Sequence, residues 1–335
     1  MKLRILFMIL LCVMFVSAGY AQTKLPPETR NAALRYWLAF AELKDPPADK
    51  ETQELLQKTL LGNANWDEQK LGPILDANSG ALGIFDRASK LPDCEWGLEY
   101  GRDVAASIAY VPRARVLAKL NTLHGIREMA KGNSQAAVDA WLEGIHFSEQ
   151  LTNGGSLIFA LMAKVTMMPN LQWLTTETNK GHLNEKQKKE VAERLKALPE
   201  DGVDWSAAWG MESAGLEALL EKLRTKPDAQ AEYEALRGEM ARAEGQDVDY
   251  AQQVKGCAPL TREDIKMFGE YMTQVQASLR LQQRDTKMRL EALEPLRKRL
   301  CVFEQNLIPY AQKTNEQRLE LRTAKDALQQ ALKAN

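Results

Sequence analysis

Apolar residues recur along most of this chain at intervals of three and four, the period that lines up one face of an α-helix. The period is cleanest from Pro112 to Leu174, where it runs through residues 113–131, 134–152 and 156–175, separated by Gly132 and by Gly154-Gly155. Short glycine-bearing joints of this kind fold neighbouring helices back antiparallel. Upstream, Ala33, Trp37, Phe40 and Ala41 predict a helix over 28–43, stopped by Pro46-Pro47, and Leu55, Leu56, Thr59 and Leu60 predict another over 50–61, stopped at Gly62. Residues 67–90 are apolar but broken by Gly72, Pro73, Gly80 and Gly83, which predicts short or kinked helices. Further helices are expected over 185–198, 204–225 and 228–243.

The last third has a longer period. Thr261 with Asp264 three positions on makes a capping-box start, after which Ile265, Phe268, Met272, Val275 and Leu279 keep a heptad-like spacing that Leu293, Leu296 and Leu300 resume, with a kink at Pro295. Residues 302–333 then carry Leu307, Thr314, Leu321 and Leu328 seven apart. Two such helices predict a C-terminal long-helix hairpin, packed on itself or on a partner. No hairpin turn flanked by alternating β-branched runs occurs, so no sheet is expected. The predicted fold class is all-α, an antiparallel helical array divided into residues 22–200 and a C-terminal helical region, 201–335.

The first residues follow a different pattern. Lys2 and Arg4 precede the apolar run 5–16, and small residues follow, with Gly19 and Ala21 flanking Tyr20. Charged, apolar, then small is the order of a cleavable signal peptide, and this predicts cleavage after Ala21 and a protein exported to the periplasm or the extracellular space. The apolar run is 12 residues, short of the roughly 20 that span a bilayer as a helix, so no stable membrane span is expected after cleavage. Cys12 lies mid-run, away from a lipid-attachment position.

Removing 21 residues from 335 leaves 314, with 42 basic residues against 45 acidic once Lys2 and Arg4 are gone, a formal charge of −3. That balance shows no basic excess and argues against nucleic acid as a partner. Three cysteines remain, an odd number. Cys94 and Cys257 both sit in turn-like sequence and are the expected pair if one disulfide forms; three unpaired thiols are the plain alternative, since free cysteine is commonly buried.

Within the regular region, Gly132, Asn133, Ala137, Trp141 and Gly144 have the spacing of the second helix of a tetratricopeptide repeat, with Gly125 at the small position of the first. Residues 113–151 therefore resemble one tetratricopeptide unit, in which small residues meet where two helices touch and a large aromatic fills the groove one turn on. Glu149 stands where the repeat has proline, and no second copy follows at the repeat period. The resemblance implies a protein-interaction fold and transfers no catalytic residue. More broadly, the helix order and the Arg-Tyr-Trp-Leu-Ala-Phe opening resemble exported helical proteins of soil bacteria that have no assigned activity.

Candidate chemistry is sparse. The three histidines, His124, His146 and His182, occur in no HExxH or CxxCH setting. With Gly125 opposite Ala137, His124 and His146 would stand roughly 12 Å apart along the helix axis, too far to share a metal. Gly154-Gly155-Ser156 lacks the strand-turn-helix context of a nucleophile elbow and reads as a helix joint. Glu95, Glu99 and Asp103 could share a helix face, where a solvated row is the ordinary reading against a cation or acid-base site. Trp66, Trp96, Tyr100 and Tyr110 gather in the less regular stretch and are the candidate lining of a peptide or ligand groove, with core filling as the stronger alternative. Trp205 and Trp209 share one helix face. No cofactor or metal is implied. The expected function is a non-catalytic exported protein that binds another polypeptide in the cell envelope; the alternatives are a hydrolase with a dispersed carboxylate site and structural self-assembly through the C-terminal hairpin.

Overall fold

The computed structural model describes residues 29–98, 110–225, 261–300, 305, 308 and 311–334. The expected signal segment, Tyr100, the helix over 228–243, Cys257 and Cys301 lie outside them. The described residues are all-α, with one isolated bridge between Asn31 and Asp93 and no strand. From Asn31 onward they belong to one compact unit.

The first helices start where side chains can satisfy free backbone N–H groups. Helix α1 (Ala32–Glu42) follows Asn31, whose side chain accepts from the Ala33 N–H at 3.1 Å, and α2 (Lys50–Leu60) follows Asp49, which accepts from Thr52 at 2.9 Å. The irregular stretch resolves into two short helices, α3 (Glu68–Ala77), which holds Pro73, and α4 (Ser79–Ser89). Asn78 joins them, its amide oxygen accepting from the Lys44 N–H at 2.8 Å.

Helices α5 (Val111–Ala130), α6 (Ser134–Leu151) and α7 (Leu157–Asn179) match the three regular segments. Gly132 turns the chain between α5 and α6 with φ +83°, a left-handed conformation that glycine adopts without a Cβ penalty. Helix α7 is the centre of the molecule and packs against α5, α6, α9 and α13. It is also long and apolar enough to cross a membrane by length and composition, and 56% of that stretch is buried within the protein. Helix α8 (Glu185–Ala197) opens with a full capping box between Asn184 and Gln187, and α9 (Trp205–Arg224) buries Trp205 and Trp209.

The C-terminal third departs from a simple hairpin. Helix α10 (Arg262–Ser278) starts at the expected Thr261–Asp264 box, with Thr261 Oγ1 accepting from the Asp264 N–H at 3.2 Å. It ends at Leu279 instead of running on, and α11 (Gln283–Ala292) and the single turn α12 (Glu294–Arg297) follow as separate pieces. Arg318, on the terminal helix α13 (Ala311–Ala334), meets the end of α10. Its side chain is buried and donates to the carbonyls of Leu279 at 2.6 Å and Leu281 at 3.2 Å and to Thr286 Oγ1 at 3.1 Å. Those carbonyls are the acceptors a helix leaves open at its end. Helix α13 lies chiefly along α7, not along α10, and the seven-residue spacing of Thr314, Leu321 and Leu328 marks a buried face, with Leu321 against Gly202.

Candidate functional site

The residues of the repeat-like pair all fall at helix contacts or turns. Gly125 of α5 lies against the indole of Trp141, one turn beyond Ala137, where the spacing alone places it. A methyl group there would sit inside the ring, so the absent side chain lets the buried indole occupy the crossing. Trp141 Nε1 donates to the Thr122 carbonyl at 3.2 Å, and Asn121 Nδ2 donates to the Ala140 carbonyl at 2.7 Å. Ala137 is fully buried. Gly144 faces α7 instead, where a Cβ would come within 2.6 Å of Asn170 Nδ2. Asn170 is buried and accepts from Thr122 Oγ1 at 3.0 Å, tying α5 and α7 together behind α6.

The aromatic groove expected from Trp66, Trp96, Tyr100 and Tyr110 is corrected by burial. Trp96 and Tyr110 are only 4% and 2% exposed and stack on one another at 4.6 Å. Tyr36 stacks on Trp96 at 5.8 Å, and Phe159 stacks on Tyr110 at 5.6 Å. The polar ends of Trp96 and Tyr36 are satisfied inside the protein: Trp96 Nε1 donates to the Gln150 carbonyl at 2.9 Å and Tyr36 Oη to Gln150 Oε1 at 2.6 Å. These rings are core. Trp66 is half-buried and donates from its indole to Glu68 at 2.7 Å. Glu95 lies outside any helix, its N–H bonded to Asn31, so with Glu99 and Asp103 outside the described residues no carboxylate row is built from it.

Polar groups converge elsewhere, in an open cleft of about 740 Å³ between α3, α4, α5 and α6. Asp86 and Lys90 stand one turn apart on α4, Asp139 and Glu143 one turn apart on α6, and His124 and Arg127 on α5. Lys90 pairs with Asp86 and lies 3.9 Å from Glu143. The carboxyls of Asp86 and Glu143 share a hydrogen bond. Burial, and after it this bond to Asp86, push the Glu143 carboxyl up to about 8, so it holds a proton at neutral pH and donates it. Burial acts on Asp86 as well, but hydrogen bonds from Glu143 and Lys90 outweigh it and hold that carboxyl below its ordinary value. Burial also lowers His124. Arg127 is committed to the cleft wall, pairing with Glu68 and with Asp76 at 2.6 Å, and its hydrogen bond, with that of Trp66, holds Glu68 down to about 2.

A larger groove of about 1070 Å³ lies between α11 and α13, but its cations are paired, Lys287 with Glu291 along α11 and Arg322 with Asp326 along α13 and with Glu200 and Asp201 before α9. The cleft between α3, α4, α5 and α6 brings charges from four helices to one space, and that distinguishes it. Sequence reading passed over Asp86, Lys90, Asp139 and Glu143. The available signal was the pair Asp139 and Glu143, whose four-residue spacing puts two carboxylates on one face of α6.

The other candidates are dispersed. His146 lies beside Glu149 at 3.3 Å and Arg194 at 2.5 Å, whereas His182 pairs with Glu177 at 2.6 Å on the end of α7. Among the described residues no three His, Cys, Asp or Glu side chains are grouped to hold a metal. Cys94 is a buried free thiol, pushed up to about 12 by burial, and its expected partner Cys257 lies outside the described residues. Comparison with protein-family models, curated proteins and solved structures returned no match.

Proposed function

We propose that this chain is an exported, non-catalytic helical protein that binds another polypeptide, and that the cleft between α3, α4, α5 and α6 receives it. The observation that carries this reading is the cleft itself: open along its length and lined by Asp76, Asp86, Asp139 and Glu143 against Lys90 and Arg127. The surplus of carboxyl groups favours a segment bearing a basic side chain, and the openness suits an extended chain better than an enclosed small molecule. The repeat-like α5–α6 pair supports the same reading, because stacked helix pairs of this kind present binding surfaces. The charged, apolar and small order of residues 2–21 supports export.

The reading is tested by placing a photo-crosslinking residue at Asp139 in cells. A defined polypeptide should crosslink there, with the yield falling as ionic strength rises, and a control position at the exposed Leu34 of α1, which does not line the cleft, should give none. Equal yields at both positions, or none at Asp139, would sink the idea.

One observation favours a second reading, a hydrolase. Two carboxyls with opposed proton affinities, Glu143 protonated and Asp86 ionised, are the arrangement that acid-base chemistry uses. On that reading Glu143→Gln abolishes turnover of an activated ester or glycoside while leaving the fold intact. On the polypeptide reading there is no turnover to lose.

A further inference from the structure

A second, smaller cavity of about 240 Å³ opens on the opposite side of α5, between α2, α5 and α7. Along α5, Arg115, Lys119 and Thr122 face it, whereas His124 and Arg127 face the cleft. At about 100° per residue the two sets lie on nearly opposite faces of the helix.

The chemistry of this cavity is one-sided. Three cations line it, Arg115, Lys119 and Lys164, and no aspartate or glutamate does. Lys164 is already bonded to Glu320 and Gln317 of α13. Neither Arg115 nor Lys119 forms an ion pair with a carboxylate among the described residues. Lys119 is half-buried beside Arg115, and burial together with that like charge lowers its proton affinity. An anion would relieve both costs. The remaining walls combine an apolar patch, Leu60, Leu61, Val165, Met168 and Pro169, with the uncharged polar Gln57, Thr122, Thr166 and Gln172, and Leu61 and Val165 are exposed to 50% and 42%. Pro169 has no N–H to return to the Val165 carbonyl within α7, and both residues line the cavity.

We infer that this cavity takes the C-terminal residue of a polypeptide ending in an aliphatic side chain, with the carboxylate on Arg115 and Lys119 and the side chain against Leu60, Val165 and Met168. The terminal residue supplies a carboxylate for the unpaired cations, an apolar group for the walls and an N–H for the released carbonyl. A volume of this size, under the usual range for drug-sized ligands, fits one residue and little more. The inference rests on the polypeptide-binding reading but uses separate residues, so the two can fail separately.

The probe is N-acetyl-leucine, titrated into the full chain labelled at its methionine methyl groups and followed by NMR. The Met168 signal, assigned by Met168→Leu, should shift and saturate with a Kd on the order of 1 mM. N-acetyl-leucinamide, which lacks the carboxylate, should bind at least about ten-fold more weakly. Arg115→Gln, at an exposed position that leaves the fold intact, and Lys119→Gln should each weaken N-acetyl-leucine by about ten-fold. Asp86→Asn, in the cleft, should leave this titration unchanged even if it abolishes crosslinking at position 139. The inference is overturned if the amide binds as tightly as the acid, if inorganic phosphate or hexanoate binds as tightly as N-acetyl-leucine, or if Met168 does not shift.

Discussion

Gly125 and Glu143 show how single positions are constrained. Gly125 exists for the indole of Trp141, so Gly125→Ala forces a methyl into a buried ring that cannot move without displacing its bond to Thr122. Alanine is the better helix former, but overpacking costs about 1–3 kcal/mol, more than the propensity gain of about 1 kcal/mol. The variant should therefore be less stable, with a lower midpoint in urea; an unchanged or higher midpoint would show that the crossing can relax. Glu143 carries a pH signature. Its ordinary value is 4.5 and burial lifts it to about 8 in the folded protein. The folded state thus keeps a proton that the unfolded chain releases, and this group's contribution to stability falls as pH rises between those two values. Lowered His124 works in the opposite sense, gaining stability as pH rises towards its ordinary 6.5. Because His124 is common to both proteins, the comparison isolates Glu143: Glu143→Gln, which keeps a donor for Asp86, should lose less stability than the parent protein, or gain some, when the pH is raised from about 5 to about 8 in denaturant unfolding. Parallel pH profiles for the two proteins would refute the assignment. The spacing around Gly125 was legible as a close contact. The proton on Glu143 was not, because it depends on a carboxyl from α4, more than fifty positions away.

Helix starts were legible to within a residue or two at several local caps, although α1 starts at Ala32, four residues after the expected 28. Asp49, Asn184 and the Thr261–Asp264 box lie next to the N–H groups they satisfy. The end of α10 was not legible, because the group that meets it arrives from the far end of the chain. Arg318 is buried and bridges Leu279, Leu281, Thr286 and Asp201. Arg318→Leu leaves those acceptors without this donor and Asp201 with Arg322 alone, and should destabilise the protein by about 3 kcal/mol. Hydrogen exchange should locate the effect, with amides at the end of α10 losing protection first. If protection there is unchanged, the end of α10 owes nothing to Arg318. Lys325 does a similar task for the end of α8, donating to the Pro199 carbonyl at 2.7 Å.

Across the whole molecule, α7 is the element on which the rest depends. Its faces meet α5, α6, α9 and α13, and Trp209 of α9 in turn donates to the Met272 carbonyl of α10 at 3.1 Å. Truncation before Thr261 would remove α10 and α13 together and bare apolar surface on both α7 and α9. The shortened chain should lose its cooperative thermal transition and gain mass by association in light scattering. A monomer that melts as sharply as the full chain would show that the C-terminal region is an accessory. The apolar seven-residue spacing of α13 looked like the seam of a hairpin because periodicity reports that a face is covered but not what covers it.

Some properties of this protein can be read directly from the chain because their physics is local. Helical periodicity, caps and glycine joints act over a few residues, and from them follow the all-α class, the three regular helices α5 to α7, the broken pair α3 and α4 and the close contact at Gly125. Others arise only from packing. Whether Trp96 and Tyr110 line a groove or fill a core, which helix α13 covers, where α10 stops and which carboxyls meet across the cleft all depend on groups brought together from distant positions. Burial and charge act through space, and a linear pattern records neither the distance nor the partner.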